Sequence, residues 1–115
     1  MATDYSGLGP SPFVKWAGGK TQLLSELRRY FPNRYNRYFE PFLGGGAVYF
    51  HLRPKQAIVS DANFELINTY RVVAACVDEL IRKLSRLQKK TLTEEFYYQI
   101  RDQNPKRLSP VSRAV

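Results

Sequence analysis

The chain has 115 residues, the length of one domain or of part of one. A hydrophobic fraction of 43% is ordinary for a globular protein, and the single cysteine and single histidine exclude a disulfide framework, indicate a reducing compartment and argue against zinc chemistry. The net charge of +8 is uneven, with +2 in residues 1–81 and +6 in residues 82–115. Such an excess suits a polyanionic partner, although a charge run by itself more often marks a solvated helix face.

The first half of the chain is predicted to alternate helices with two short strands. Residues 1–12 are rich in Gly, Pro and Ser and predict a flexible arm, without a signal peptide or a membrane-spanning stretch. A helix is predicted from Gly19 to Tyr30 and a strand over residues 37–39. Three glycines then lead into a helix that ends before Pro54, and a second strand is predicted over residues 57–60.

The second half is predicted to be helical. A helix opening near Asn63 leads into a second helix, and a capping box of Thr91 and Glu94 predicts the start of a third, which stops by Asn104–Pro105. Ser109–Pro110 predicts an N-cap followed by proline at the first helical position, so a last helix begins about one turn before the chain stops. The predicted buried face of the helix opening near Asn63 consists of Leu66, Ile67, Tyr70, Val73 and Val77.

This element order predicts an α/β fold with the first half of a parallel sheet. Ligands bind beyond the carboxyl ends of such strands, where the sequence has Glu40–Gly46 and Asp61. Three glycines let a ligand approach the backbone closely, so a nucleotide-type cofactor site is predicted. Asp61 suits a ribose diol, because a carboxylate accepts hydrogen bonds from two hydroxyls, but helix N-capping fits its spacing equally well.

Two common nucleotide-binding motifs are disfavoured, each by a single residue. Gly18-Gly19-Lys20-Thr21 ends like a phosphate-binding loop, but Val14 stands where that loop needs glycine. Tyr49 stands where a dinucleotide-binding fingerprint needs its last glycine or alanine. Lys20 is predicted at a helix N-terminus, where it suits a carboxylate or a phosphate.

Trp16, His51 and Cys76 each invite a structural and a functional interpretation. Trp16 is either a core aromatic or a wall of the cofactor site. His51 is predicted to be a surface or packing residue of its helix, and Cys76 a small buried hydrophobe.

The aromatic segment near residue 97 also leaves two interpretations open. Tyr97, Tyr98 and Arg101 suit base stacking and phosphate contact. In the alternative, Phe96, Tyr97 and Ile100 belong to the core and Arg101 is solvated.

Three motifs occur together in one known pattern. FVKWAGGK at residues 13–20, FEPFLGGGAV at residues 39–48 and SDAN at residues 60–63 resemble, in order and spacing, the N-terminal motifs of the Dam family of adenine-specific DNA methyltransferases, which use S-adenosylmethionine. FYYQIR at residues 96–101 resembles the start of the family's helical DNA-contacting insert. The resemblance covers about residues 13–115.

The resemblance implies an architecture and roles for individual residues. Residues 13–78 are expected to be part of a Rossmann-like cofactor domain, and residues 79–115 the start of a basic target-recognition region. The expected partner is double-stranded DNA, in the cytoplasm of a prokaryote, within a restriction-modification setting and without a metal. The resemblance assigns cofactor binding to Trp16, Lys20, Glu40, Phe42, Gly44, Gly46 and Asp61, and DNA binding to Arg101, Lys106 and Arg107.

One family motif is missing. The family's catalytic Asp-Pro-Pro-Tyr follows the recognition region, and the sequence contains no Asp-Pro pair. We therefore expect a chain truncated before its catalytic motif, inactive alone and without a catalytic residue, and a complementing C-terminal half as a partner. The alternatives are a basic fragment that binds DNA or cofactor only, and a non-functional remnant.

Overall fold

The computed structural model describes residues 9–115, so most of the predicted arm at residues 1–12 lies outside the described residues. The chain divides between Ala62 and Asn63 into two compact units. We call them the N-terminal unit and the C-terminal unit and describe each by itself.

The N-terminal unit contains a two-stranded parallel sheet. Strands β1 (Tyr38–Glu40) and β2 (Ala57–Val59) pair in parallel, with Phe39 opposite Ile58. Helix α2 (Ala47–Leu52) connects them, as a parallel pair requires. Both strands lie within one residue of the predicted positions, and the mixed helical and parallel-strand composition is compatible with part of a methyltransferase domain.

The helix predicted from Gly19 to Tyr30 is present in a broken form. It consists of helix α1 (Leu24–Leu27) between two 3-10 turns, Thr21–Leu23 and Arg28–Tyr30. No residue of these three elements is buried, so little packing is available to stabilise a longer regular helix.

The glycine turn before α2 uses left-handed backbone conformations that glycine adopts without strain. Gly44 and Gly46 have φ of +54° and +77°, in the left-handed region. At Gly45, a Cβ would lie 3.1 Å from the carbonyl oxygen of Val14, closer than ordinary contact. The turn therefore packs directly on the segment that contains Trp16.

The C-terminal unit is helical, and its short last helix belongs to its core. Val72, Leu80 and Val111 form the buried cluster. Buried Asn68 donates a hydrogen bond to the carbonyl oxygen of Pro110 at 2.9 Å, and Arg113 pairs with Glu65, with Nε to Oε2 at 3.1 Å. The helices are α3 (Phe64–Ala75), α4 (Val77–Gln88), α5 (Glu94–Arg101) and α6 (Pro110–Ala114).

The predicted N-cap of α6 is confirmed, but the predicted capping box is wrong. The Ser109 hydroxyl accepts a hydrogen bond from the Ser112 amide, and Pro110 is the first helical residue. The N-cap of α5 is Thr93, which accepts from the Phe96 amide, because the helix begins only at Glu94. Thr91 lies too early to make that bond.

Two burial predictions for α3 and its end are also wrong. Val77 is exposed, whereas Asn68 and Val72 are buried, because α6 packs on α3 and selects its buried face. Cys76 is exposed, since it lies at the break between α3 and α4 and outside both packed faces.

Candidate functional site

Hydrogen bonds join the carboxyl ends of β1 and β2. The Ser60 amide donates to the Glu40 carbonyl at 2.8 Å, and the Leu43 amide donates to the Ser60 carbonyl at 3.0 Å. The Gly44 amide donates to Oδ2 of Asp61 at 2.9 Å. These bonds bring the glycine turn and Asp61 together at the edge where a parallel sheet binds its ligands.

Glu40 is a buried carboxylate with a different donor at each oxygen. The Lys20 ammonium lies 3.4 Å from Oε1 and donates a 2.8 Å hydrogen bond to the Phe42 carbonyl. The Tyr38 hydroxyl donates to Oε2. A buried charge is tolerated when it is paired and hydrogen-bonded, and these two donors meet that requirement.

The phenol of Tyr38 responds to the same surroundings. Burial raises the pKa of Tyr38, and its hydrogen bond to the Glu40 carboxylate and the charge of that carboxylate raise the pKa further. Tyr38 therefore stays protonated, and able to donate, well beyond neutral pH.

Asp61 does not cap helix α3. Asn63 is the N-cap, and its Oδ1 accepts from the Leu66 amide at 3.0 Å. The capping role that the spacing allowed for Asp61 belongs to Asn63, and the carboxylate of Asp61 holds the glycine turn instead.

Trp16 lies in a groove and not in the core. Its side chain is 39% exposed. The groove has a volume of about 780 Å³ and lies between residues of the segment Pro12–Gln22 and two others, Gly45 of the turn and Ala47 at the start of α2. The nearest side-chain atom to a Cβ built on Gly44 is Cδ1 of Trp16, at 3.6 Å, so the indole stands beside the glycine turn.

The predicted cofactor residues thus fall into connected groups within the N-terminal unit. Lys20, Glu40 and Phe42 form one hydrogen-bonded set, and Gly44 with Asp61 forms another. Gly46 is the N-cap residue of α2, and Trp16 stands beside the turn.

Sequence reasoning did not single out Tyr38, and it included Gly45 only as one of the three glycines of the turn. Strand periodicity could have indicated Tyr38, because residues two apart in a strand point to the same side and Tyr38 lies two positions before Glu40. The separate reason for glycine at position 45 could not be predicted, because it comes from the approach of Val14, which is distant in sequence.

The predicted DNA-binding residues lie in the C-terminal unit, near the end of α5. Tyr97 and Tyr98 are exposed and pack edge to face with ring centroids 5.4 Å apart, so Tyr97 is not a core residue. The Arg101 guanidinium lies 5.9 Å from the Tyr98 ring centroid. Lys106 and Arg107 belong to the 3-10 turn Pro105–Arg107 and are exposed.

His51 is exposed, and its ring lies 6.4 Å from that of Phe31, as expected of a surface or packing residue. Within residues 9–115, no group of three or more His, Cys, Asp or Glu side chains is arranged to hold a metal ion. Among the helices of that same range, none combines the length and the apolar character needed to cross a membrane.

Comparison with known proteins identifies the family. Residues 16–115 match the D12 class N6 adenine-specific DNA methyltransferases, and the chain belongs to this family. The resemblance inferred from the three motifs is thereby confirmed.

Individual relatives match over most of this chain and over part of their own length. The type II methyltransferase M1.LlaDCHI of Lactococcus lactis subsp. cremoris is 42% identical over 108 residues, which cover 90% of this chain and 38% of the relative. The type II methyltransferase M.MjaIII of Methanocaldococcus jannaschii is 44% identical over 106 residues, covering 79% of this chain and 37% of the relative. The DNA adenine methylase of Escherichia coli K12 is 36% identical over 104 residues, covering 90% and 37%. The chain therefore spans less than two-fifths of the length of these relatives.

Proposed function

We propose that this chain supplies the methyl-donor site and part of the DNA-contacting surface of a site-specific DNA adenine N6-methyltransferase that uses S-adenosylmethionine. The observation that carries the proposal is the ammonium of Lys20 held between the Glu40 carboxylate and the Phe42 carbonyl, beside a glycine turn joined to Asp61.

The Lys20 ammonium is a stand-in for part of the cofactor. The methionine end of S-adenosylmethionine carries an ammonium and a carboxylate. Glu40 and Phe42 already accept an ammonium, at 3.4 and 2.8 Å. The ammonium of the cofactor would occupy the position of the Lys20 ammonium. The displaced Lys20 would then pair with the carboxylate of the methionine end. The residues present therefore fit the methionine end.

The glycine turn and Asp61 fit the nucleoside end. Left-handed Gly44 and Gly46 present backbone without a side chain, so a ligand can approach closely. We propose that Asp61 accepts the ribose hydroxyls and that Trp16, together with Lys20, lines the methionine end. Because Asp61 also holds the Gly44 amide, ligand and turn would be ordered together.

Bound S-adenosylmethionine would supply an electrophilic methyl group on a sulfonium. The chain's own residues would bind and orient it: the buried Glu40 would fix the methionine end, and the glycine turn with Asp61 would fix the nucleoside end. Adenine N6 is a poor nucleophile until its hydrogens are accepted by neighbouring groups, which is the work of the family's Asp-Pro-Pro-Tyr. We propose that those groups come from outside these 115 residues, in a complementing C-terminal half.

We propose further that β1 and β2 belong to a Rossmann-like sheet, with the cofactor part over residues 13–78 and the recognition region from residue 79. Arg101, Lys106 and Arg107 would contact phosphates of double-stranded DNA, and the exposed Tyr97 and Tyr98 would lie against the nucleic acid. The excess of +6 in residues 82–115 supports this assignment. A cytoplasmic location, where DNA and the methyl donor are both present, is part of the proposal.

Calorimetric titration with S-adenosylmethionine tests the cofactor site. We expect measurable but weak binding, and we expect Asp61→Asn and Asp61→Ala each to raise Kd about tenfold, the cost of about one hydrogen bond to a charged group. Asp61→Asn keeps an acceptor for the Gly44 amide, so it separates ribose binding from support of the turn. Asp102→Asn, at the exposed end of α5, is the matched control and should leave Kd unchanged. Equal Kd for Asp61→Asn and the unsubstituted chain would remove Asp61 from the site.

Transfer of a tritiated methyl group to duplex DNA tests the proposal that the catalytic groups lie outside these 115 residues. The chain alone should transfer none, and addition of the corresponding C-terminal portion of a relative should restore transfer. Robust transfer by the chain alone would refute the proposal that the catalytic groups lie elsewhere.

A further inference from the structure

Tyr38 is hydrogen-bonded to Glu40, although it is not among the residues assigned to the proposed cofactor site. It lies two residues before Glu40 in β1, on the same side of the strand, and it is half-buried. Its hydroxyl donates to Oε2 of Glu40, the oxygen that Lys20 does not contact. Each oxygen of the buried carboxylate therefore has its own donor.

The two donors differ in how firmly they are held. Lys20 reaches Glu40 through a long flexible stem, and its side chain is 36% exposed. Tyr38 has a rigid ring fixed to a strand, and that ring packs near Tyr49 with centroids 6.4 Å apart. An ammonium that arrives from solution would displace Lys20 and leave Tyr38 where it is.

We propose that Tyr38 is a positioning residue for the methyl donor: by holding Oε2 of Glu40, it keeps Oε1 directed toward the ammonium of the ligand. This inference rests on the proposed function, because it requires Glu40 to meet the methionine end. Without the phenol, the carboxylate could rotate about its last side-chain bond, and it would have to be reordered each time a ligand binds.

The competing explanation is purely structural. Tyr38 would then only satisfy a buried charge, and its loss would weaken the fold and every ligand alike. The two explanations differ in one respect: positioning acts only on ligands that carry the ammonium.

Two ligands make that distinction. S-adenosylhomocysteine carries the amino-acid end, and 5′-methylthioadenosine lacks it while keeping the nucleoside. With Tyr38→Phe, calorimetry should give a Kd for S-adenosylhomocysteine about tenfold higher and a Kd for 5′-methylthioadenosine changed by less than about twofold. In a Glu40→Gln background, adding Tyr38→Phe should have no further effect on either ligand. Tyr30→Phe, at a largely exposed tyrosine, is the matched control and should change neither.

The outcomes separate the inference from the function on which it rests. An unchanged Kd for S-adenosylhomocysteine, or an equal loss for both ligands, would overturn the positioning role while leaving the cofactor site intact. Failure of the unsubstituted chain to bind either ligand would overturn the proposed function and this inference with it.

A second measurement uses the unsubstituted chain, in case Tyr38→Phe does not fold. A phenolic proton hydrogen-bonded to a carboxylate gives a downfield proton resonance, and its loss in Glu40→Gln would identify that of Tyr38. We expect this resonance to persist when S-adenosylhomocysteine is added. Its disappearance on addition of the ligand would show that Tyr38 leaves Glu40, and the inference would be wrong.

Discussion

The candidate site residues of the N-terminal and C-terminal units differ in the burial of their charges. In the N-terminal unit, Glu40 is buried and holds one ammonium and one hydroxyl in fixed positions. In the C-terminal unit, Arg101, Lys106 and Arg107 are exposed. Buried and paired charge suits a small ligand of defined shape, whereas exposed charge suits a long polyanion that is bound with little geometric demand. This difference accords with the proposed cofactor site in the N-terminal unit and with the proposed DNA contacts at these three cations of the C-terminal unit.

The largest effect on stability is expected from a substitution in the core of the C-terminal unit. Leu80 is buried against the cluster that includes Val111, so Leu80→Ala leaves a cavity and should lower the free energy of unfolding by about 2–4 kcal/mol. Far-UV circular dichroism in a denaturant series measures this loss, because most of the helical residues are in this unit. Leu84→Ala, an exposed position on the same helix, is the matched control and should stay within about 0.5 kcal/mol.

The single tryptophan makes the same experiment informative about the other unit. Trp16 belongs to the N-terminal unit, so its fluorescence follows that unit while circular dichroism follows mainly the helices. Separate transitions in Leu80→Ala would support two units of independent stability. Coincident transitions with the same loss would contradict that independence.

A smaller effect is expected at the exposed cations. Lys106→Ala and Arg107→Ala should each weaken duplex DNA binding about threefold to tenfold at moderate salt and reduce the slope of log K against log salt concentration by about 1. Fluorescence anisotropy with a labelled duplex measures both quantities. Lys55→Ala removes the same charge from an exposed position of the N-terminal unit and is the control. An equal loss for Lys55→Ala would indicate a general response to net charge and contradict a DNA-contacting surface in the C-terminal unit.

Local signals predicted the elements well, because each depends on residues that are close in sequence. Ser109–Pro110 specifies a helix start through its own side chain and ring, and the glycine turn specifies the connection between strand and helix. The choice of Thr91 over Thr93 failed because only Thr91 has a glutamate three residues later, whereas Thr93 caps α5 with Phe96 at that position.

Contacts between distant residues could not be predicted in the same way. Lys20 meets Glu40 across 20 positions, and Glu65 meets Arg113 across 48. Asn68 is a polar residue that was not assigned to the predicted buried face of its helix, and its bond to Pro110 explains its burial. The motifs predicted most of the candidate cofactor residues. The contact of Lys20 with Glu40 could not be predicted, because the two residues become neighbours only in the folded chain.

The smallest expected effect is a change in how the stability of the N-terminal unit depends on pH. The pKa of Tyr38 is raised in the folded chain, first by burial and then by Glu40, whereas an exposed tyrosine titrates near 10. A group whose pKa is higher in the folded state binds its proton more tightly there, so its contribution to stability is complete below about pH 10 and is lost as the pH rises through the raised value. We therefore expect the melting temperature, followed by Trp16 fluorescence, to fall between about pH 10 and pH 11 by more in the unsubstituted chain than in Tyr38→Phe. Tyr97→Phe, which removes an exposed tyrosine of the C-terminal unit, should leave that fall unchanged. An identical pH dependence in the unsubstituted chain and Tyr38→Phe would mean that the phenol is not held by the buried carboxylate. Tyr38 would then give no support to the contrast between the buried charge of Glu40 and the exposed charges of the C-terminal unit.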